Sequence, residues 1–327
     1  MSSLRLYVGV ATVPGRESTT LPRAISSLLS QTRLPERIFV AMPAGGYTLR
    51  GELRGRAIAP TADVLRHPLV EIRRCARDDG PGTKLLCTLP RALELAVAAD
   101  ALDSSIIVLA DDDRIYRDWA LGEIARAAWA SRRPHTTSAD RASARAFSFY
   151  SWDVWLPHAR GICYGPCECG KCNATKRRRR SCCFGRQYLS GATEASWFPW
   201  LRGVPPTLTL GQGSDLFALP LALLDGVAAF FSCAVARSPL IARHDDFLIS
   251  LYLAAVHNAS VTRLRGPNDE QSVFDLKAMP KASRERAAEV GLRASNESVR
   301  AKAACAEHYD FVRDVCGRQL QRRIADS

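Results

Sequence analysis

Short apolar stretches alternate with amphipathic ones through the first 110 residues, and that alternation leaves very few architectures open. Leu4-Arg5-Leu6-Tyr7-Val8-Gly9-Val10-Ala11 reads as a buried strand that stops at Thr12-Val13-Pro14-Gly15. From Leu21 to Gln31, apolar Leu21, Ala24, Ile25, Leu28 and Leu29 recur at helical spacing, with Pro22 in the first turn. Arg37 to Met42 is the next strand, which completes a strand-helix-strand unit of the length a parallel crossover needs. Further strands are expected at Leu69 to Arg73 and Ser105 to Ala110, with a helix from about Thr83 to Ala99 between them. The expected class is therefore α/β, a mostly parallel sheet flanked by helices, with ligands beyond the carboxyl ends of its strands.

The pattern loosens after residue 130. Ser131 to Ala144 reads as a polar loop, Ala146 to Trp155 as a strand, and 161–185 as a Cys- and Arg-rich insertion. Gly211 to Phe217 is a glycine turn into an apolar segment, and Asp245 to Ala255 is a helix whose first turn holds Asp245 and Asp246, where the helix dipole favours carboxylates. Residues 281–327 read as a polar helical extension following a domain at 1–280.

Composition narrows the function classes. With 47% hydrophobic residues over 327 positions the chain can bury a large core. The net charge of +12 hints at an anionic partner, but 39 of the 45 basic residues are Arg and one run, Lys176 to Arg180, supplies five charges, so charge alone does not make a nucleic-acid binder. No apolar run approaches the ~20 residues of a membrane span. Met1 to Pro14 lacks signal-peptide character, so a cytoplasmic location is expected, a luminal one only if the N-terminus is incomplete.

Asp111-Asp112-Asp113, ending an apolar strand, is the sharpest chemical signal. Three adjacent carboxylates repel one another without a compensating cation, and their hard oxygens suit Mg²⁺ or Mn²⁺ with substrate phosphates completing the shell. An acidic strand cap is the bland alternative; the alternating order and glycine turns at neighbouring strand ends tip the balance toward a metal–diphosphate site.

On these residues the chain resembles the GT-A nucleotide-sugar glycosyltransferases, particularly family-2-like members. Val8 to Thr12 followed by Ser26-Ser27-Leu28-Leu29-Ser30-Gln31-Thr32 is similar to that family's first strand and helix, and Asp111-x-Asp113 to its DxD motif. Asp79 to Leu85 is similar to a nucleotide-contacting turn, Gly211 to Phe217 to an acceptor-side glycine segment, and His244 to Ser250 to the acidic helix bearing the catalytic base. The resemblance covers about residues 4 to 257 and implies a Rossmann-like GT-A fold and transfer of a sugar from a nucleotide-diphosphate sugar to a glycan or other hydroxyl acceptor, with inversion. It implies Mn²⁺ or Mg²⁺ on Asp113 with Asp111 or Asp112, and His244 or His257 as a third ligand. Thr12, Arg16, Asp79, Lys84, Asp111 and Asp112 would contact the donor, and Asp245 or Asp246 would take the acceptor's proton.

Cys163, Cys167, Cys169, Cys172, Cys182 and Cys183 fall within 21 residues and allow a small structural Zn²⁺ site, disulfides, or reduced thiols without a role. With the arginine run they support a different reading, a zinc-containing nucleic-acid-binding protein. The other five cysteines, Cys75, Cys87, Cys233, Cys305 and Cys316, read as scattered thiols. Asn173-Ala174-Thr175, Asn258-Ala259-Ser260 and Asn296-Glu297-Ser298 fit the glycosylation sequon but, with no signal sequence to go with them, carry no inference on their own.

Overall fold

The computed structural model describes residues 4–47, 58, 62–131, 145–155, 207–211, 213, 216–267, 273–274, 308, 311–318 and 320–321. Among the described residues nine strands form two sheets: β1 (Arg5–Ala11), β2 (Arg37–Pro43), β3 (Val70–Cys75), β4 (Ser105–Asp111), β5 (Arg145–Ser148), β6 (Ser151–Trp155), β7 (Thr207–Gly211), β8 (Phe217–Pro220) and β9 (Ser260–Arg263). The main sheet has the order β3-β2-β1-β4-β8-β5-β9, and β6 pairs with β7 in a small antiparallel sheet. β3, β2, β1 and β4 run parallel, and β8 is antiparallel to both of its neighbours. Because the chain builds outward from β1 in both directions, a crevice opens at the carboxyl ends of β1 and β4, where sheets of this order bind ligands.

The helices are α1 (Thr20–Leu29), α2 (Thr83–Leu86), α3 (Leu89–Ala98), α4 (Ala120–Ser131), α5 (Val227–Arg237) and α6 (Asp245–His257). Strand alternation sorts the core into two layers. Tyr7, Phe39, Ile107 and Leu109 pack with residues of α2, α3, α5 and α6; Leu6, Val8, Val10, Ile38 and Val108 pack with α1 and α4. In α1 the expected stripe of Leu21, Ala24, Ile25 and Leu28 is fully buried. Burial of Leu21, Ile25 and Leu28 contributes about 1.5–3 kcal/mol each. Gln31, just beyond this helix, ties it to the next layer, because its side chain donates to Ser27 O and Arg117 O and accepts from Leu121 N.

The helix expected from Thr83 to Ala99 is two helices, since Pro90 brings no N–H to a continuous ladder and starts α3 instead. Likewise the strand expected from Ala146 to Trp155 is β5 and β6, broken where Ser148 Oγ donates to Tyr150 O and the chain leaves one sheet for the other. Helices α4 and α5 were not anticipated. Residues 311–318 are helical, and Val312, Cys316 and Leu320 join the core layer formed with α5 and α6. The end of the expected extension is thus built into the domain.

The cysteines require a correction as well. Cys75 is bonded to Cys87 and Cys233 to Cys316, so four of the five expected scattered thiols are disulfides. The first clasps the segment between β3 and α3; the second fastens the C-terminal helix to α5. Cys305, the cluster at 163–183, the arginine run and all of 281–307 lie outside the described residues. Among the described residues no helix is long and apolar enough to cross a membrane.

Candidate active site

A cleft of about 250 Å³ opens at the crevice between β1 and β4, with Thr12, Arg16, Lys84, Asp111, Asp112 and the Asp245-Asp246 pair on its walls. Four elements deliver these side chains: the end of β1, the turn after β3 leading into α2, the end of β4, and the first turn of α6.

The aspartate triplet divides its labour. Asp112 is 3% exposed and turned inward, where Thr12 Oγ1 donates to its Oδ2 at 2.6 Å and Arg16 Nη1 to its Oδ1 at 2.7 Å. Burial, reinforced by Asp113, outweighs Arg16 and raises its carboxyl above the usual range. It is therefore an anchor joining β4 to the loop after β1, and it also lines the cleft. Asp111 and Asp113 remain partly open, with side chains 33% and 26% exposed. Asp113 Oδ2 lies 3.2 Å from the same Arg16 nitrogen. Arg16 thus offsets the mutual repulsion of Asp112 and Asp113, which the sequence left to a metal ion alone.

Lys84 is the centre of the site. It is 5% exposed, and its Nζ lies 3.0 Å from Asp111 Oδ1 and 3.2 Å from Asp245 Oδ2. Burial would lower its pKa, but Asp111, Asp245 and Asp246 outweigh burial and hold the ammonium well above the ordinary lysine value. Reciprocally, burial would raise Asp111, and Lys84, with Arg114 and Arg16, brings it below the usual carboxylate value. Two glycines make room for this lysine: a Cβ on Gly213 would stand 2.5 Å from Lys84 Nζ, and one on Gly9 in β1 would stand 2.5 Å from Lys84 O. Lys84 fits between the two carboxylates with Gly9 and Gly213 beside it, at positions where a side chain would collide with it.

The two acidic residues of α6 are held differently. Asp245 Oδ2 faces Lys84 yet finds no hydrogen bond among the described residues. Asp246 Oδ1 accepts from Gly213 N at 2.9 Å, and burial next to Asp245 raises its carboxyl well above the usual range. The glycine segment and the acidic helix, separate in sequence, therefore meet.

Several expected residues stand elsewhere. Asp79 pairs with Arg77 at 2.6 Å; its neighbour Asp78 lines the cleft instead, accepting from Gly80 N at 2.9 Å. In Asp78-Asp79-Gly80 only the turn decides which carboxylate faces inward, and that choice has no signature in the sequence. His244 is the N-cap of α6, its Nδ1 accepting from Phe247 N at 3.4 Å, and it is not among the cleft residues. His257 is at the other end of the 13-residue α6, about 20 Å away, against Tyr252 Oη at 2.9 Å. Neither histidine is among the residues lining the cleft. Tyr47, which lines the cleft and donates to Thr12 O, was not anticipated and has no sequence signal.

Among the described residues no group of three or more His, Cys, Asp or Glu is arranged to hold a metal by itself. In comparisons with known proteins, no family model and no curated protein matches this chain.

Proposed function

We propose that this cleft binds a nucleotide-diphosphate sugar and transfers the sugar to an acceptor hydroxyl, as the GT-A resemblance implies. The observation that carries the reading is one buried lysine, at the crevice of a parallel sheet, set between Asp111 at the end of β4 and the Asp245-Asp246 pair of α6, while Asp113, just past β4, pairs with Arg16 and is not among the lining residues.

Charge balance favours a divalent ion. Asp111, Asp112, Asp113, Asp245 and Asp246 face Lys84, Arg16 and Arg114, so an anionic diphosphate would meet more carboxylate than cation. Hard oxygen donors fit Mg²⁺ or Mn²⁺, and such ions are commonly held by one or two carboxylates with substrate phosphates and water. Asp111 and Asp113 would hold it; when bound it would stabilise the charge developing on the leaving diphosphate.

The protein's own residues do the rest. Thr12 and Arg16 fix the triplet, and Lys84 keeps the donor side and the acceptor side in register. Asp246 takes the proton from the acceptor hydroxyl: its Oδ1 is oriented by Gly213 N–H, and its raised proton affinity suits a general base. Asp245 is committed to Lys84. A base facing the anomeric carbon opposite the leaving diphosphate gives inversion.

The test is turnover of a panel of UDP- and GDP-sugars, with and without Mn²⁺, for the wild type, Asp113→Ala and Asp246→Asn. The reading expects metal-stimulated hydrolysis or transfer that both substitutions reduce by at least a hundredfold, on the scale of general-base loss. Full activity in Asp113→Ala would overturn it.

A further inference from the structure

All four cysteines among the described residues are bonded, Cys75 to Cys87 and Cys233 to Cys316, with Cα atoms 5.5 and 5.8 Å apart. Disulfides persist in oxidising compartments and are rare in the cytosol. Two disulfides therefore fit a chain that matures in an oxidising compartment, the setting in which an Asn-x-Ser tripeptide can be glycosylated.

Asn258-Ala259-Ser260 has the Asn-x-Ser form of an N-glycosylation acceptor. Asn258 ends α6 in the left-handed conformation, with φ 50° and ψ 33°, in the turn that leads to β9. Asn258 and Ser260 are exposed, while Ala259 between them is 6% exposed. The Asn258 carboxamide makes no hydrogen bond among the described residues. A left-handed helix end explains an Asn by itself, since Asn tolerates that conformation. It does not account for an exposed Ser two residues later, nor for a chain in which each described cysteine is bonded. The position is also distant from the cleft: α6 sets it about 20 Å from Asp245, so a bulky substituent there does not enter it.

We propose that the chain matures in an oxidising compartment that transfers oligosaccharide to protein, and that Asn258 carries an N-linked glycan. In that step the Asn258 amide nitrogen attacks the anomeric carbon of a lipid-diphosphate-linked oligosaccharide. The new C–N bond replaces the C–O bond to the diphosphate, the lipid diphosphate leaves, and the amide proton passes to the transferring enzyme. Each disulfide forms by loss of two protons and two electrons from a thiol pair to a disulfide-exchange oxidoreductase.

The test starts with the natural full-length protein, alkylated before reduction and then treated with peptide-N-glycosidase in ¹⁸O water. Peptide mass spectrometry should find ¹⁸O-labelled Asp in place of Asn258, and no alkylation at Cys75, Cys87, Cys233 or Cys316. An unlabelled Asn258, or alkylation of all four cysteines, overturns the proposal. As an independent arm, the full chain carrying Asn173→Gln and Asn296→Gln is secreted from eukaryotic cells behind an added leader. A single glycosidase-sensitive band is expected, abolished by Asn258→Gly, which keeps the left-handed turn, and by Ser260→Ala, but retained in Ser260→Thr. A band that survives Asn258→Gly would place the glycan elsewhere and refute the assignment.

Discussion

Replacing Lys84 with Met keeps most of the side-chain volume and deletes one charge. The lysine side chain is 7% exposed and stands 3.0 Å from Asp111 and 3.2 Å from Asp245, so its loss leaves the buried Asp245 carboxylate facing the partly open Asp111 without a cation between them. Removing one partner of a buried ion pair costs about 3–5 kcal/mol. At about 2–4 °C per kcal/mol for a domain of this size, Tm should fall by about 6–20 °C near neutral pH. The sign of the pH dependence separates charge from packing. The folded-state pKa of Asp111 lies below its ordinary value, so the stability it brings is present above that value and is lost as pH falls through the lowered one. The lysine's own pKa is raised, so its contribution is intact throughout the acid and neutral range. The gap between wild type and Lys84→Met should thus be widest at pH 6–8 and shrink below about pH 4. Adding Asp245→Asn to Lys84→Met should recover part of the loss. Differential scanning calorimetry from pH 3 to 8 measures both. A gap of constant size across that range would refute the ion-pair account and leave only lost packing.

Two more outcomes follow from the same geometry. Asp246 has a raised folded-state pKa, so its contribution to stability is present below the ordinary carboxylate value and lost as pH rises. Asp246→Asn, which can still accept from Gly213 N, should therefore raise Tm at pH 7 by a few degrees, with less gain at pH 4, while abolishing transfer; a lowered Tm at pH 7 would contradict the crowding of Asp245 and Asp246. Replacing Cys233 and Cys316 with Ser opens a link between positions 83 residues apart and should cost about 2–4 kcal/mol. Limited proteolysis under native conditions should then release the C-terminal helix, and an unchanged digestion pattern would show that Val312 and Leu320 hold it without the bond.

What could be read from the sequence depended on whether a feature was local. β1, β2, β4 and α1 announce themselves because burial on both faces or along one stripe writes a period into neighbouring residues. The carboxylates at the end of β4 and the start of α6 were legible as candidates for the same reason, as acidic groups placed where strands end and helices begin. α5 was not, because Val227, Phe230, Phe231 and Ala234 sit among further apolar residues that blur the stripe. The roles within the site were not local either. Lys84 could be seen as a cation near a diphosphate, but its pairing with Asp111 and Asp245 needs three elements to meet, and the glycines that admit it come from two more. Similarly, nothing in the spacing of Cys75 and Cys87, or of Cys233 and Cys316, distinguishes a bonded pair from thiols; proximity does.

A sugar-nucleotide site in the cleft between β1, β4 and α6 should bind its ligand directly. Titration calorimetry with UDP- and GDP-sugars in the presence of Mn²⁺ tests it most directly, comparing wild type with Asp113→Ala and with Asn258→Gly, which lies about 20 Å away along α6. The account expects saturable binding of at least one sugar nucleotide, weakened tenfold or more by Asp113→Ala and unchanged by Asn258→Gly. No binding across the panel, or binding that Asp113→Ala leaves intact, would contradict it.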